Sequence, residues 1–385
     1  FTDVLNNQPP QINKSKEFFE ATGSRDWLHD GASRAAGPRA RRIAQEFEQW
    51  ALHSDPDRAE RLIDRYNELF NSTVAPVYDG SHRQFPGLGD QFDPYAYQRN
   101  AVQRIVSEPT VLLDHVVGAG KTGTMLMGAM ELKRLGVVNK PWIVVPNHIV
   151  EQVTREAKQW YPAANVLSGS AATDAEGRRL FIAQSASQDW DMVIVPLSAF
   201  TRISVDAGTK AEYIRGQLED IERSYFGPDA EYEIQNEASV KAIENAKARL
   251  EARLEEALDQ AGKDTGLTFE ASGADYLFID EAHMFKNLAR QSHVAELACA
   301  GSDQASDLQM KLAHLRSVRR HEAAENGIAS DAYVERVATF ATGTPVANNL
   351  AELWVMQTYL RPDLLIDAGV AGLDEWGATF TDTIE

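Results

Sequence analysis

One stretch restricts the possible folds more than any other: Leu112-Leu113-Asp114-His115-Val116-Val117-Gly118-Ala119-Gly120-Lys121-Thr122. An apolar run over 110–113 reads as a buried strand. It leads into a glycine-bearing turn and then a run of good helix formers from Met125 to Arg134, closed by Gly136. Strand, Gly-x-Gly-Lys-Thr, helix is the layout of a phosphate-binding loop. Small residues let backbone N–H groups approach phosphates, and the helix N-terminus adds favourable partial charge. In this reading Gly118, Gly120, Gly123, Lys121 and Thr122 hold the nucleotide. Lys121 reaches the β and γ phosphates, and the Thr122 hydroxyl holds Mg²⁺. His115 stands where the full pattern has its first glycine, so the loop by itself also fits an ordinary glycine-rich turn with a surface lysine.

The rest of the chain decides between these. Apolar pulses at 142–145, 192–195, 276–279 and 337–341 alternate with helical stretches, which predicts a parallel sheet with helices on both faces. Ligands of such sheets sit at the carboxyl ends of the strands. Each pulse ends in a polar cluster: Pro146-Asn147-His148, Pro196-Leu197-Ser198, Asp280-Glu281-Ala282-His283 and Thr342-Gly343-Thr344-Pro345. A strand ending in adjacent carboxylates offers two jobs: Asp280 holds Mg²⁺, and Glu281 polarises the water that attacks the γ-phosphate. His283 would relay between this site and the last strand. Gln98, on a helix shortly before the loop, has the donor and acceptor to read an adenine edge.

Residues 1–90 read as a polar tail, with a short helix near 16–21, followed by two amphipathic, core-facing helices. Ile43, Phe47 and Trp50 line one helix, and Leu62, Ile63, Tyr66, Leu69 and Phe70 the other. Ser54-Asp55-Pro56 separates them. Residues 91–385 form the nucleotide-binding lobe. Within it, 207–262 reads as an acidic helical hairpin broken at Gly227-Pro228-Asp229, and 301–307 as a loop. The hairpin could contact a protein partner. No apolar run approaches the roughly 18 residues of a membrane helix. With Cys299 as the only cysteine, a cytoplasmic setting is expected. A net charge of −19 argues against indiscriminate coating of nucleic acid but leaves room for a locally basic groove. The basic clusters at 39–42 and 316–320 read as solvated helix faces. The chain opens at Phe1 rather than Met, which predicts a fragment or processed product.

Three of these segments resemble motifs I, II (a DEAH box) and III of superfamily-two helicases: Gly118-Ala119-Gly120-Lys121-Thr122, Asp280-Glu281-Ala282-His283, and Thr342-Gly343-Thr344-Pro345 with Asn348-Asn349-Leu350-Ala351-Glu352-Leu353-Trp354. The last is close to the Swi/Snf-like branch. Tyr97-Gln98 resembles that branch's Q motif, Val144 to Asn147 motif Ia, and Val195 to Ser198 motif Ib. Tyr66 to Asn71, Tyr78 to His82 and Ala305 to Leu308 look like the large helicases of phages and conjugative plasmids. Some of those are fused to adenine methyltransferases, and they include antirestriction proteins. The resemblance implies a RecA-like α/β first lobe that binds ATP and Mg²⁺ and contacts duplex DNA. Asn147, His148, Ser198 and Lys286 would face DNA, and Thr342, Gly343 and Thr344 would couple the nucleotide to it. Nothing resembling motifs IV to VI follows, so a second RecA-like lobe, on a longer chain or another chain, is expected to supply the arginine that speeds γ-phosphate transfer.

The sequence thus predicts the ATP-hydrolysing motor lobe of a DNA translocase. The rival is a nucleotide-binding scaffold without turnover of its own.

Overall fold

The computed structural model describes residues 30–67, 76–222, 237–261, 267–289, 299, 301–328, 333–346 and 349–380. Its contacts divide the chain into two units, Phe1–Val77 and Tyr78–Glu385.

In the first unit, α1 (Asp30–Glu48) runs into a π-helical turn at Gln49–His53, and α2 follows at Pro56–Tyr66. The break falls where the sequence places it. Asp55 is the cap, its carboxylate accepting from the N–H groups of Asp57 and Arg58, with Pro56 at the first helical position. Arg58 lies over the Trp50 ring, 4.0 Å from its centroid. The expected core-facing stripe is not buried: Phe47, Trp50, Leu62 and Ile63 are 42–50% exposed. The helix expected near 16–21, and Leu69 and Phe70, lie outside the described residues.

The second unit is a three-layer α/β domain. Its elements are α3 (Ala96–Ser107), β1 (Thr110–Asp114), α4 (Lys121–Arg134), β2 (Pro141–Val145), α5 (Val150–Trp160), β3 (Val166–Ser168), α6 (Ala175–Ser187) and β4 (Met192–Pro196). There follow α7 (Leu197–Phe200), α8 (Ala207–Ile221), α9 (Glu237–Ala261), β5 (Tyr276–Asp280), α10 (Asp303–Glu325), β6 (Ala338–Thr342), α11 (Ala351–Leu360), α12 (Pro362–Asp367) and α13 (Leu373–Phe380). The strands lie in the order β1-β6-β5-β2-β4-β3, and every pairing is parallel. This is the RecA-like parallel architecture the motifs imply.

The strands are largely apolar because both faces are covered. Side chains alternate between them with period two. Trp142, Val144, Leu277, Ile279 and Phe340 pack with Phe200, Leu308, Leu312 and Tyr359 on one face. Ile143, Val145, Tyr276, Phe278 and Ala341 pack with Ile105, Met125 and Val153 on the other. Since all strands run the same way, every carboxyl end falls on one edge. Register sets Asp114 beside Thr342 and Asp280 beside Ala341.

Four sequence expectations change. The domain boundary moves from 90/91 to 77/78, because the linker-like segment is bonded into the sheet domain. Gly80 N–H donates to Asn100 Oδ1 at 2.8 Å, Arg83 reaches Gln103 at 2.6 Å and Glu131 at 3.2 Å, and Gly89 N–H donates to the Trp160 carbonyl at 2.7 Å. Most of the loop expected at 301–307 is helix, since Ser302 caps α10 by accepting from Ala305 N–H. Arg316 and Arg319 are buried, not solvated. β3, a three-residue edge strand, has no counterpart among the expected strands.

The hairpin is present as α8 and α9, joined through Ala211, Ile214 and Ala257. Its turn, with Gly227-Pro228-Asp229, lies outside the described residues. Its feet are tied together: Phe269 N–H donates to Ser204 O at 2.9 Å, and Asp206 N–H to Glu270 Oε2 at 2.9 Å.

Candidate functional site

Three loops meet at the carboxyl edge of β1, β6 and β5. The first leaves β1. Gly118 and Gly120 take φ of +86° and +70°, a left-handed backbone that glycine adopts without penalty. Gly120 caps α4, and the first intrahelical bond runs from Thr124 N–H to Gly120 O at 3.1 Å. The N–H groups of Lys121, Thr122 and Gly123 therefore have no partner within the helix, which makes this terminus a receptor for an anion. Lys121 Nζ donates to the His115 carbonyl at 2.9 Å, folding the cation over the loop. Exposed Val116 and Val117 form its outer rim.

Gln98 is buried and bolts this loop to α3. Its Oε1 accepts from Tyr95 N–H at 3.0 Å and its Nε2 donates to the Gly120 carbonyl at 3.3 Å. Each end keeps one further hydrogen-bonding position. Beside it Tyr97 donates to the Ala119 carbonyl at 2.9 Å and stacks on Tyr95, with centroids 5.6 Å apart. His115 meets the Tyr97 ring edge-on at 6.0 Å. Burial, reinforced by Lys121, holds the His115 imidazole below its ordinary pKa. His115 Nδ1 is buried with no partner among the described residues.

The second loop leaves β5. Burial and the neighbouring charge of Glu281 push the Asp280 carboxyl up to about 6, while the bond from Glu281 N–H, Lys121 and His283 draw it back. Glu281 has φ of +51°, the one positive value among non-glycine described residues. Such strain at an acidic side chain is of the kind stored at working sites.

The third loop leaves β6 and closes on both others. His283 Nδ1 lies 3.1 Å from Glu281 Oε2 and 3.1 Å from Thr342 Oγ1, and Thr344 N–H donates to that same hydroxyl at 3.1 Å. A methyl placed on Gly343 would sit 3.4 Å from His115 O and 3.8 Å from Lys121 Nζ. The β6 loop thus touches the carboxylate pair through the Thr342–His283 link, with Thr344 bonded to Thr342, and passes beside the glycine loop at Gly343. Ala347 and Asn348 of the same motif lie outside the described residues.

The donor set can be tested against Mg²⁺. Thr122 and Asp280 offer one hydroxyl and one carboxylate. Among the described residues, no group of three or more His, Cys, Asp or Glu side chains is placed to hold a metal. Two protein oxygens suit a small hard ion that keeps its waters and takes the rest of its shell from phosphate. A cation would also relieve the mutual repulsion of Asp280 and Glu281.

A separate cleft follows β2 and β4. Asn147 and His148 line it with Ser198, Ser170 and Thr173, and Asn147 Oδ1 accepts from Ser198 N–H at 3.0 Å. Lys286 does not join that group. Its Nζ pairs with the buried Glu352 at 2.9 Å, so its charge is committed within the fold.

Trp160 was not legible as part of the site. It ends α5, stacks on Phe92 with centroids 4.6 Å apart, and lies where a methyl on Gly123 would meet its ring at 2.3 Å. The signal in the sequence was Gly123 itself, whose lack of a side chain the nucleotide reading does not require.

A parallel α/β sheet carrying a glycine-lysine loop, an acidic pair and a Thr-Gly-Thr segment at the ends of three adjacent strands defines a domain of the helicase class. The chain belongs to the probable helicase domain family, whose model matches residues 105–385. A model for a domain of unknown function matches residues 1–72. The chain is similar to the Defense against restriction protein B of Escherichia phage P1, with 24% identity over 390 residues that take in 89% of this chain and 16% of that protein. It thus spans only a small part of that relative's length. Among solved structures it is similar to the Sulfolobus solfataricus SWI2/SNF2 ATPase core in complex with dsDNA, with 12% identity and a TM-score of 0.39, covering 75% of this chain and 40% of that one. The helicase resemblance carried by the motifs is borne out at the level of the family. Among the described residues, no helix is long and apolar enough to cross a membrane.

Proposed function

We propose that this chain is the ATP-binding first lobe of a DNA-dependent ATPase, a duplex translocase more than a strand-separating helicase. The convergence of Lys121, the Asp280–Glu281 pair and the His283–Thr342 link on one sheet edge carries this reading. Lys121 exchanges its loop carbonyls for the β and γ phosphates, whose charge the free N–H groups of the α4 terminus also accept. Thr122 and Asp280 would hold Mg²⁺, which would supply positive charge against that developing on the phosphates. Glu281 orients the attacking water and takes its proton. Gln98, already bonded to Gly120, turns its remaining donor and acceptor to adenine.

His283 and Thr342 report the state of Glu281 to the β6 loop, and Asn147, His148 and Ser198 meet the DNA backbone. A second RecA-like lobe completes the site, because transition-state charge on the γ-phosphate needs an arginine from outside it; such arginines contribute about 10³–10⁵ in rate. The similarity to a phage protein named for defence against restriction supports a cytoplasmic setting in a bacterial or phage-infected cell.

The first test is ATP hydrolysis by the chain with and without duplex DNA, beside Lys121→Ala and Glu281→Gln. Turnover stimulated by DNA and reduced at least about a hundredfold in both variants is the expected result, as for loss of a principal catalytic group. ATP binding without turnover, persisting when the second lobe is supplied, would leave the scaffold reading.

A further inference from the structure

A concavity lies at the opposite edge of the sheet, under the amino ends of β1 and β6, and the motor chemistry does not use it. Three arginines distant in sequence converge there: Arg319 from α10, Arg336 just before β6 and Arg361 between α11 and α12. Tyr333, Val334 and Val137 give it an apolar wall. Its volume is about 510 Å³, within the range of small-molecule sites.

The arginines are held in place by bonds that leave part of each guanidinium unused. Arg336 donates from Nη1 to Ile105 O at 2.7 Å and from Nη2 to Val106 O at 2.9 Å. Those acceptors are neutral carbonyls at the end of α3, and among the described residues no carboxylate is ion-paired with Arg336. Arg361 spends Nε and Nη2 on Asp363, at 3.0 and 2.7 Å, which leaves Nη1. Arg319 is tied to Asp275 and Glu322, at 3.2 and 3.1 Å. Neither of those carboxylates, nor Asp363, lines the cleft. Among the described residues, Glu108 is the single acidic side chain that does, and its Oε1 accepts the hydroxyl of Tyr78. In a chain of net charge −19, the cleft gathers three arginines, of which Arg336 is the one with no ion-paired carboxylate among the described residues. Burial draws the Arg336 guanidinium below its ordinary value, a cost that an anion in the cleft would offset.

We propose that this cleft binds a phosphorylated small molecule, its phosphate held by Arg336 and Arg361 and its ring or chain laid against Tyr333, Val137 and Val334. Guanidinium groups fixed in advance match phosphate oxygens two at a time. The apolar wall selects a ligand with an organic body over a bare ion. The three arginines reach the cleft from separate segments around one apolar wall, an arrangement that suits a compact ligand better than a continuous backbone, which needs a track. Because β1 and β6 carry the glycine loop and the Thr-Gly-Thr loop at their other ends, an occupant here stands one strand's length from the proposed nucleotide site.

The test is calorimetric titration of the whole chain with AMP and with inorganic pyrophosphate, in a Lys121→Ala background that removes phosphate binding at the glycine loop. One equivalent of AMP should still bind. Affinity should fall at least about tenfold, or 1.4 kcal/mol, when Val137→Trp fills the cleft, and by a similar factor with Arg336→Ala. Val137→Trp touches no ion pair, so an unchanged melting temperature separates blocked binding from misfolding. Pyrophosphate should bind more weakly than AMP. Loss of all AMP binding in Lys121→Ala would overturn the proposal, as would indifference to Val137→Trp. Displacement of AMP by a short DNA duplex would overturn it in favour of nucleic acid.

Discussion

Trp160 lies against the first turn of α4 so closely that a methyl added at Gly123 would meet its Cη2 at 2.3 Å. Gly123→Ala must push the indole off Phe92, and overpacking of this kind costs about 1–3 kcal/mol. Urea unfolding should show that loss, and most of it should vanish in a Trp160→Leu background, where the methyl has room. A full cost in both backgrounds would show that the backbone, not the ring, requires glycine. Glu281 tests strain in the same way. At φ +51° it holds a conformation costing about 1–2 kcal/mol for a side chain with a Cβ. Glu281→Gly should therefore leave the fold as stable or more so, while any ATP turnover disappears; a clear drop in stability would mean the carboxylate supports the fold. Lys121, Asp280 and Thr342 were legible as site residues because their chemistry is tied to short motifs. Trp160 and the bolting role of Gln98 were not, since contacts between segments far apart in sequence leave no local pattern.

Along α10, one turn brings together two charges that the core should reject. Lys311 is fully buried, bonded to Asp307 and to the Phe200 carbonyl, each at 2.5 Å, and lies 4.1 Å from the Phe200 ring centroid. Burial pushes the Asp307 carboxyl up to about 6 against the pull of Lys311, and pushes the Lys311 ammonium down against the pull of Asp307. For Asp307 the folded state holds its proton more tightly than the unfolded chain, whose value is 3.8. That stabilisation is complete below pH 3.8 and lost as pH rises through about 6. Unfolding free energy should fall over this window by on the order of 3 kcal/mol, and the step should be absent in Asp307→Asn. An unchanged step in the variant would assign it to another carboxylate. Replacing both partners, Asp307→Leu with Lys311→Met, should be neutral or stabilising by about 1–4 kcal/mol at neutral pH, because neither charge must then be desolvated. The elements themselves were readable where periodicity was long. Five of the six strands and both hairpin helices follow from it, whereas β3 is too short to carry a period, and the start of α10 is polar enough to read as loop.

At the scale of the molecule, the boundary between the two units separates the sequence reading from the structure most clearly. Composition draws the line near residue 90, because glycine and proline fill the preceding stretch. Packing draws it at Tyr78, because that stretch supplies bonds the α/β domain does not make otherwise. Phe85 is buried. Arg83 is one of two arginines on Glu131, a side chain only 2% exposed. Gly89 and Phe92 hold the end of α5. A chain beginning at Tyr78 should therefore fold with the cooperativity of the whole domain. One beginning at Gln91 gives up the burial of Phe85, about 1.5–3 kcal/mol, and leaves Glu131 with a single arginine in a setting where unpaired buried charge is costly. Urea midpoints should place it about 3 kcal/mol or more below the longer form. Equal midpoints would return the boundary to residue 90 and make the intervening stretch a true linker. The same comparison bears on the proposed function. Phe92 reaches the glycine loop through Trp160 and Gly123, so a start that disturbs the α5 end should weaken nucleotide binding along with stability. A start at Tyr78 should leave both intact.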